Sequence, residues 1–160
     1  MRVIVAAIGR ARKGAERELV DRYVDRARRS GRALGFSGPD IVELDEGREA
    51  TQTLRRKSEG QKLIAAVPAG VGKVVLDEAG RALSTRELSA LLASWRDDGV
   101  SGAAFLIGGP DGHGAGVKRA ADLVLSLGAM TWPHLLVRAM IVEQIYRAMT
   151  ILAGHPYHRG

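Results

Sequence analysis

Short apolar runs alternate along the chain with longer segments in which apolar positions recur at helical spacing. Brief runs rich in β-branched or small apolar residues are typical of buried strands. There are five of them: VIVAAIG (3–9), DIVEL (40–44), KVVLD (73–77), AAFLIGG (103–109) and LVLSL (123–127). Strands separated by helices favour an open, mostly parallel sheet with helices on both faces. The pattern therefore predicts an α/β fold.

The segments between the runs predict helices with recognisable ends. The first helix has apolar positions every three or four residues: Leu19, Val20, Tyr23, Val24 and Ala27. A second covers 49–67, where Gly60 is expected to weaken it. The sequence STRE (84–87) is a capping box and begins a third helix that stops at DDG. A short helix is expected over 115–121, and a last one from near Pro133 to Gly154.

The carboxyl ends of the last three strands are where we expect a binding site, because ligands of open parallel sheets bind beyond those ends. Leu76 follows the third strand, Gly108 and Gly109 follow the fourth, and Leu127 ends the fifth. If these strands are neighbours, three loops converge on one crevice. The two glycines before Pro110 either let a flat ligand approach the backbone or simply form a tight turn.

Length and composition describe an ordinary soluble protein. The 160 residues, 46% hydrophobic and 26% charged, predict one domain over 1–160. The absence of cysteine excludes disulfides, thiolate catalysis and Cys-based zinc sites. We expect a cytoplasmic location and no membrane span, because the start lacks the regions of a signal peptide. The most apolar segment (135–152) is interrupted by charged side chains.

The net charge of +6 is unevenly placed. Residues 1–36 contain ten Arg and Lys against four Asp and Glu, whereas the two kinds are balanced from residue 37 onward. The excess lies on the first helix: Arg12, Lys13, Arg17, Arg22, Arg26, Arg28, Arg29 and Arg32. Such a face suits a polyanion such as RNA. The alternative is a solvated face, since four acidic residues are interleaved with the basic ones.

Common phosphate and metal motifs do not match. In GGPDGHGAGVK (108–118), Val117 stands where a Walker A motif needs glycine before Lys118, and the G-x-G-x-x-G pattern fails at its third glycine. Of the four histidines only His155 and His158 are close in sequence, and no acidic residue follows or precedes them nearby. We therefore expect no metal site. His113, in the glycine-rich loop, is interpreted as a bystander in a mobile segment.

Several longer segments, in this order and spacing, resemble one family over essentially the whole chain. They are RVIVAAIG (2–9), KSEG (57–60), LDEAG (76–80), FLIGGPDG (105–112), LSLGAMTWPHLLVR (125–138), EQIYRA (143–148) and GHPYHR (154–159). The chain resembles the methyltransferase H family of the SPOUT superfamily. These small bacterial enzymes methylate N3 of a pseudouridine in large-subunit ribosomal RNA. Two departures are Gly128, where serine is frequent, and GHGAG (112–116), which replaces a less glycine-rich helix start.

The resemblance implies a fold, a methyl donor and an assembly. The fold is a single domain with a deep C-terminal trefoil knot, and the assembly is a homodimer with the last helix in its interface. The donor is S-adenosylmethionine, and its contacts would fall on Leu76, Gly108, Leu127, Gly128, Ala129, Met130, Thr131 and Trp132. We expect large-subunit rRNA, on the assembled ribosome, as the other substrate.

The tail has residue types suited to the substrate side of the reaction. His155 or His158 would act as base or relay, Tyr157 would contact the flipped base, and Arg159 with Arg138 would hold phosphate or the uracil oxygens. The alternative is that His155 and Pro156 cap the last helix while Tyr157 packs in the dimer interface. Glu143 and Arg147 are expected to form a helix-surface pair, and His134 a structural hydrogen bond.

Two other functions fit the same residues less closely. One is a related knotted methyltransferase that acts on tRNA or on a ribose hydroxyl, for which a tail of this kind would not be needed. The other is a non-catalytic ribosome-binding factor that keeps the fold, and the absence of donor binding would indicate it.

Overall fold

The computed structural model describes residues 1–158, and over them the chain forms one parallel sheet flanked by helices. The elements in chain order are β1 (Arg2–Ile8), α1 (Ala15–Arg32), β2 (Ser37–Leu44), α2 (Gln52–Ala65), β3 (Gly72–Ala82), α3 (Thr85–Asp97), β4 (Gly102–Ile107), α4 (Ala115–Arg119), β5 (Leu123–Ser126) and α5 (His134–Leu152). The strand order is β2-β1-β4-β3-β5, and every pairing is parallel. The predicted α/β class is confirmed, and β4, β3 and β5 are neighbours.

Alternate residues of the strands face two different hydrophobic cores, as the two-residue period of a strand requires. On one face, Val5 and Phe105 pack with the buried sides of α1, α3 and α5. On the other, Ala6 and Leu106 pack with α2 and α4, chiefly through Leu63 and Val117. The prediction of helices on both faces of the sheet is therefore confirmed.

β3 is longer than the predicted strand over 73–77. It continues to Ala82, but residues 77–80 are extruded from the ladder, so that Leu76 and Arg81 both pair with Leu125. The bend is tight at Gly80, where an added Cβ would lie 2.7 Å from the Val124 carbonyl oxygen. The apolar pattern ends at Asp77 because the extruded residues face solvent, and for that reason sequence reasoning truncated the strand.

Gly60 does not simply weaken α2, as the sequence suggested. It is buried in the middle of the helix, and a methyl group there would overlap the Val117 side chain. The missing side chain allows α2 to pack closely against α4. The cost in helix propensity, about 1 kcal/mol, is thus accompanied by a tertiary contact that α4 needs.

The segment between β5 and α5 runs across the carboxyl end of the sheet. β5 is an edge strand beside β3, whereas His134, the first residue of α5, lies next to Gly9 at the end of β1. Residues 127–133 therefore pass the ends of β3 and β4. The trefoil knot that the family resemblance implies would be formed by this crossing. No helix within residues 1–158 is both long and apolar enough to cross a membrane.

Candidate functional site

A cleft of about 770 Å³ lies at the carboxyl ends of β3, β4 and β5. Its walls come from the loop extruded from β3, the glycine-rich turn after β4 and the crossing segment after β5. We expected three strand-end loops to converge if these strands are neighbours. They are neighbours in the sheet, and the three loops converge on this cleft. The topology has thus placed a ligand-sized cleft where parallel sheets usually hold one.

Seven of the eight residues that the resemblance assigned to the donor line this cleft. They are Leu76, Gly108, Leu127, Gly128, Met130, Thr131 and Trp132. Ala129 belongs to the same crossing segment and is exposed, but it is not part of the wall. Met130 and Trp132 are also exposed, with 71% and 39% of their surface accessible. These large apolar side chains at the mouth of the cleft are therefore available to a ligand or a partner.

The crossing segment is attached to the extruded loop by polar contacts. The Ser126 hydroxyl lies 3.0 Å from the carbonyl oxygens of Glu78 and of Gly128, and it accepts a hydrogen bond from the Gly128 N–H at 3.1 Å. Thr131 donates to the Glu78 carboxylate at 2.8 Å. Gly128 has a φ of +115°, a conformation that other residues rarely adopt. Glycine adopts this conformation without strain, and Ser126 is a contact that sequence reasoning missed.

One ion pair crosses the floor of the cleft, between Lys118 of α4 and Asp77 of the extruded loop. Burial acts to raise the pKa of Asp77, but hydrogen bonds from Lys118 and from the Ala79 N–H outweigh it, and the pKa is lowered. Asp77 is therefore ionised at neutral pH. Glu78 and Asp111 also line the cleft, so its wall has three carboxylates, of which Asp77 pairs with Lys118 and Asp111 with Arg55.

Arg138 is not available to phosphate or to uracil oxygens in this structure, in contrast to the expectation from its sequence context. Its side chain is 1% exposed. The guanidinium pairs with the Glu43 carboxylate of β2 and donates to the Gly9 carbonyl oxygen at 2.9 Å. Burial lowers the pKa of Arg138, and the Glu43 carboxylate opposes that shift. Arg138 therefore fixes the first turn of α5 to the ends of β1 and β2.

The tail folds back on its own helix. The Tyr157 hydroxyl donates to Glu143 at 3.1 Å, and the Arg147 guanidinium lies 4.7 Å from the centre of the Tyr157 ring. Tyr23 of α1 is within 3.5 Å of the same hydroxyl. Burial and then the hydrogen bonds with Tyr23 and Glu143 raise the pKa of Tyr157. Arg147 and Glu143 form the expected pair at 2.5 Å, and the two are only partly exposed.

The two tail histidines differ in their surroundings. The His155 backbone N–H donates to the Thr150 carbonyl oxygen at 2.9 Å, so the backbone here closes the last turn of α5. The His155 imidazole is exposed, and its Nδ1 accepts from the Tyr157 N–H at 3.1 Å. His158 is half-buried, and its Nδ1 has no hydrogen-bond partner within residues 1–158. None of the described tail residues lines the cleft of the same chain. Arg159, also predicted to act here, lies outside the described residues.

Comparison with known proteins identifies the family. The family described as "Predicted SPOUT methyltransferase" matches residues 1–158. The chain belongs to this SPOUT methyltransferase family. It is 48% identical over 159 residues to Ribosomal RNA large subunit methyltransferase H of Chelativorans sp. strain BNC1, covering 99% of this chain and 91% of the relative. It is 51% identical to the protein of that name from Afipia carboxidovorans, with complete coverage of both.

Among solved structures, the chain is similar to the SAM-bound methyltransferase Lpg2936 from Legionella pneumophila. The TM-score is 0.45 at 15% identity, and the match covers 95% of this chain and 66% of that one. The family assignment rests on the sequence relatives, which the chain matches over nearly their whole length.

This SPOUT chain has a second, mainly apolar groove of about 530 Å³, which shares Leu125, Leu127 and Gly128 with the cleft. Its walls come from α1, α3 and α5, and include Leu19, Leu88, Leu136 and Met140. Tyr23 and Glu143, the two side chains that hold the Tyr157 hydroxyl, lie on the same walls. The tail is therefore anchored at this groove rather than at the cleft.

Two histidines of this SPOUT methyltransferase chain line the cleft. His134 is at the start of α5 beside Gly9. His113 is buried, with 9% of its surface exposed, and it is part of the cleft wall. Glycine-rich sequence suggested mobility, but the loop folds over the ends of β3 and β4 and encloses the ring. Within residues 1–158 no group of three His, Asp or Glu side chains is placed to hold a metal ion.

Proposed function

We propose that this protein transfers a methyl group from S-adenosylmethionine to N3 of a pseudouridine in large-subunit ribosomal RNA, in the cytoplasm. The observation that carries the proposal is that seven residues assigned to the donor from sequence line one cleft at the ends of three adjacent strands. About half of the residues are identical to those of relatives named ribosomal RNA large subunit methyltransferase H, which supports the same substrate.

The cleft has the size and chemistry to accept this donor. Its volume lies within the range of roughly 300–1,000 Å³ that small-molecule sites usually have. Leu76, Leu125 and Val137 offer an apolar wall for a purine ring. The carboxylate of Glu78, which has no cationic partner within residues 1–158, suits the ammonium and sulfonium groups. When bound, the donor supplies a methyl group already activated by the sulfonium, so the protein's main task is alignment.

The acceptor nitrogen needs help that the tail can provide. The N3–H proton has to leave before the ring nitrogen becomes a good nucleophile, and each unit between its pKa and the ambient pH costs about 1.4 kcal/mol. Tyr157 is unsuited to take this proton, because its raised pKa and its bond to Glu143 keep the hydroxyl protonated. Its ring and hydroxyl remain suited to contacting the base.

The two tail histidines, His155 and His158, are suited to different roles. Nδ1 of neutral His155 accepts from the Tyr157 N–H, so its proton is on Nε2, where it can donate to a uracil oxygen. His158 has no such bond at Nδ1 within residues 1–158 and is the better candidate for the general base. Arg159 would hold a flanking phosphate.

A homodimer would bring the tail to a cleft. The tail lies at the apolar groove of its own chain, away from its own cleft, and Leu136 and Met140 leave that groove unfilled. A second copy covering the groove would bury these side chains. The tail of one subunit would then complete the cleft of its partner, which accounts for the position of Tyr157 on α5.

A mixing experiment tests whether the tail acts across the dimer. One variant has the cleft blocked by Thr131→Arg, and the other ends after Gly154. Each is inactive alone. If the tail acts across the dimer, co-refolded equal mixtures should recover about one quarter of wild-type activity, since half the dimers are mixed and each has one complete site. If the tail acts on its own cleft, the mixture stays inactive.

The basic face of α1 is suited to hold the RNA. Arg22, Arg29 and Arg32 of α1 are exposed, as are Arg12 and Lys13 just before it, and none of the five forms an ion pair with another described residue. Arg17 and Arg28, by contrast, are paired with Asp21 and Asp40. Phosphates of a folded rRNA surface would occupy the unpaired positions, with a steep dependence on salt.

Mass mapping of ribosomal RNA tests the function directly. In a strain lacking the gene, one large-subunit pseudouridine should lose a single methyl group, and the gene should restore it. Loss of methylation from tRNA or from a ribose hydroxyl would point to another knotted methyltransferase activity. An unchanged methylation map together with no binding of the donor by calorimetry would indicate a non-catalytic ribosome-binding factor.

A further inference from the structure

The His113 imidazole is buried beside the Leu106 and Leu76 backbone carbonyls, but its Nε2 is left without a well-aligned hydrogen bond. The residue follows the glycine turn after β4, is 9% exposed, and lies in the wall of the donor cleft. Its Nε2 has no hydrogen-bond partner within residues 1–158. The adjacent ring atom Cε1 would lie 3.3 Å from a Cβ added at Gly108. The unpartnered nitrogen is therefore next to a residue that the donor is expected to touch.

Such an atom is costly in a folded protein unless something binds to it. A buried donor or acceptor left unpaired costs about 1–3 kcal/mol, and the large majority of buried polar atoms have a partner. The charged groups around the imidazole are already engaged, because Asp77 and Lys118 pair with each other. A polar ligand atom in the cleft would remove the cost.

The imidazole offers a neutral, directional contact. Burial lowers the pKa of His113, while Asp77 and the nearby backbone carbonyls of Leu106 and Leu76 act in the opposite direction and Lys118 adds to the lowering. The ring is uncharged at neutral pH. A neutral imidazole has one N–H and one free lone pair, so its Nε2 forms one hydrogen bond of defined direction.

We propose that His113 is a positioning residue for the methyl donor and that its Nε2 hydrogen-bonds the purine edge of the donor. This inference rests on the proposed function. The purine is the part of the donor that fits, because the neighbouring wall is apolar at Leu76 and Leu125 and would cover an uncharged flat ring. The ammonium and sulfonium groups are better matched by the carboxylate of Glu78, which has no cationic partner within residues 1–158.

Calorimetric binding of S-adenosylhomocysteine, the demethylated product, tests the proposal on the full chain. His113→Leu keeps an apolar side chain of moderate size without a polar atom and should weaken binding about five- to a hundredfold. His113→Gln places its amide near the position of Nε2 and should recover most of the affinity. His113→Asn places its amide near Nδ1 instead and should resemble His113→Leu.

Analogues of the same ligand identify the group that is contacted. One set lacks the 6-amino group, and the others replace one purine ring nitrogen by CH. Wild-type protein should lose affinity for one of these analogues, and His113→Leu should bind that analogue and the parent compound equally. If each analogue binds more weakly than the parent compound by the same factor in wild type and in His113→Leu, then His113 does not contact the purine edge.

The outcomes separate this inference from the function on which it rests. If wild-type protein does not bind S-adenosylhomocysteine, the proposed function fails. If wild-type protein and His113→Leu bind it equally, only the role of His113 fails. If His113→Leu does not fold, ¹⁵N NMR of the histidines in the wild-type protein replaces the binding comparison. The resonance that is missing from the spectrum of His113→Gln is then assigned to His113. The Nε2 resonance of His113 should move by several ppm on binding, and an unchanged resonance would overturn the proposal.

Discussion

Replacing Arg138 by methionine should destabilise the protein strongly, although Arg138 touches no residue of the cleft floor. Methionine keeps the apolar stem of the side chain but leaves the Gly9 carbonyl oxygen without its charged donor and leaves the Glu43 carboxylate with only the guanidinium of Arg17, at 3.6 Å. Removing one partner of a buried ion pair costs about 3–5 kcal/mol. Glu43 is 18% exposed and keeps a hydrogen bond from the Ala11 N–H at 2.9 Å. We therefore expect a value near the lower end, about 3 kcal/mol.

Chemical and thermal unfolding measure this loss. For a domain of this size, about 3 kcal/mol corresponds to a fall of about 6–12 °C in Tm. The double variant Arg138→Met/Glu43→Leu removes both charges and should be more stable than Arg138→Met alone, which a double-mutant cycle quantifies. A loss below about 1 kcal/mol for the single variant, with an unchanged denaturant slope, would show that the pair does not hold α5 in place.

The same variant separates a structural role of Arg138 from the phosphate contact that its sequence position suggested. If Arg138 fixes the first turn of α5, its loss loosens the crossing segment as well, and affinity for S-adenosylhomocysteine falls together with stability. If it holds phosphate, affinity for RNA falls while stability and donor affinity stay at the wild-type level. The burial of the guanidinium predicts the first result.

Three further results are expected from the packing and the charges. Gly60→Ala should cost about 1–3 kcal/mol by overpacking, and adding Val117→Ala should restore part of it; equal stability of Gly60→Ala and wild type in urea would refute the contact. Lys118→Met should lower stability at pH 7. Because Lys118 lowers the pKa of Asp77, the difference in stability between wild type and Lys118→Met is fully present above the ordinary aspartate pKa of 3.8. It should be lost as the pH falls through the lowered pKa of Asp77. A difference in Tm that is as large at pH 2 as at pH 7 would contradict the pairing. Arg22→Glu should weaken rRNA binding and reduce the salt slope by about 0.7–0.9 for each phosphate that the protein no longer binds; an unchanged slope would place the RNA elsewhere.

The position of the cleft was predictable because it depends on backbone topology. Strand ends can be read from the apolar pattern, and a parallel sheet brings the ends of neighbouring strands to one edge. This reasoning, which needs no family resemblance, singles out Leu76, Gly108 and Leu127, and all three line the cleft. The family resemblance adds Gly128, which also lines the cleft and has a positive φ.

Contacts between residues that are far apart in the sequence could not be predicted in this way. Arg138 looked like a free cation at the start of an apolar helix, because the Glu43 that pairs with it is far away in the chain. Gly60 looked only like a weak point of α2, because Val117 lies on another element. The extruded loop at 77–80 shortened the predicted β3, since its residues lack the apolar alternation of a strand. Each error arose where a distant contact decides what a residue does.

His113 shows how the two kinds of information combine. Glycines at 108, 109, 112, 114 and 116 indicate a flexible segment if they are considered by local propensity alone. In the folded chain that segment closes over the ends of two strands. It encloses the His113 imidazole, which can donate or accept a hydrogen bond. A loop with so few side chains has little to contribute to a ligand except its backbone and this imidazole. The sparse side-chain chemistry of the glycine turn is thus why we infer a positioning role for this histidine.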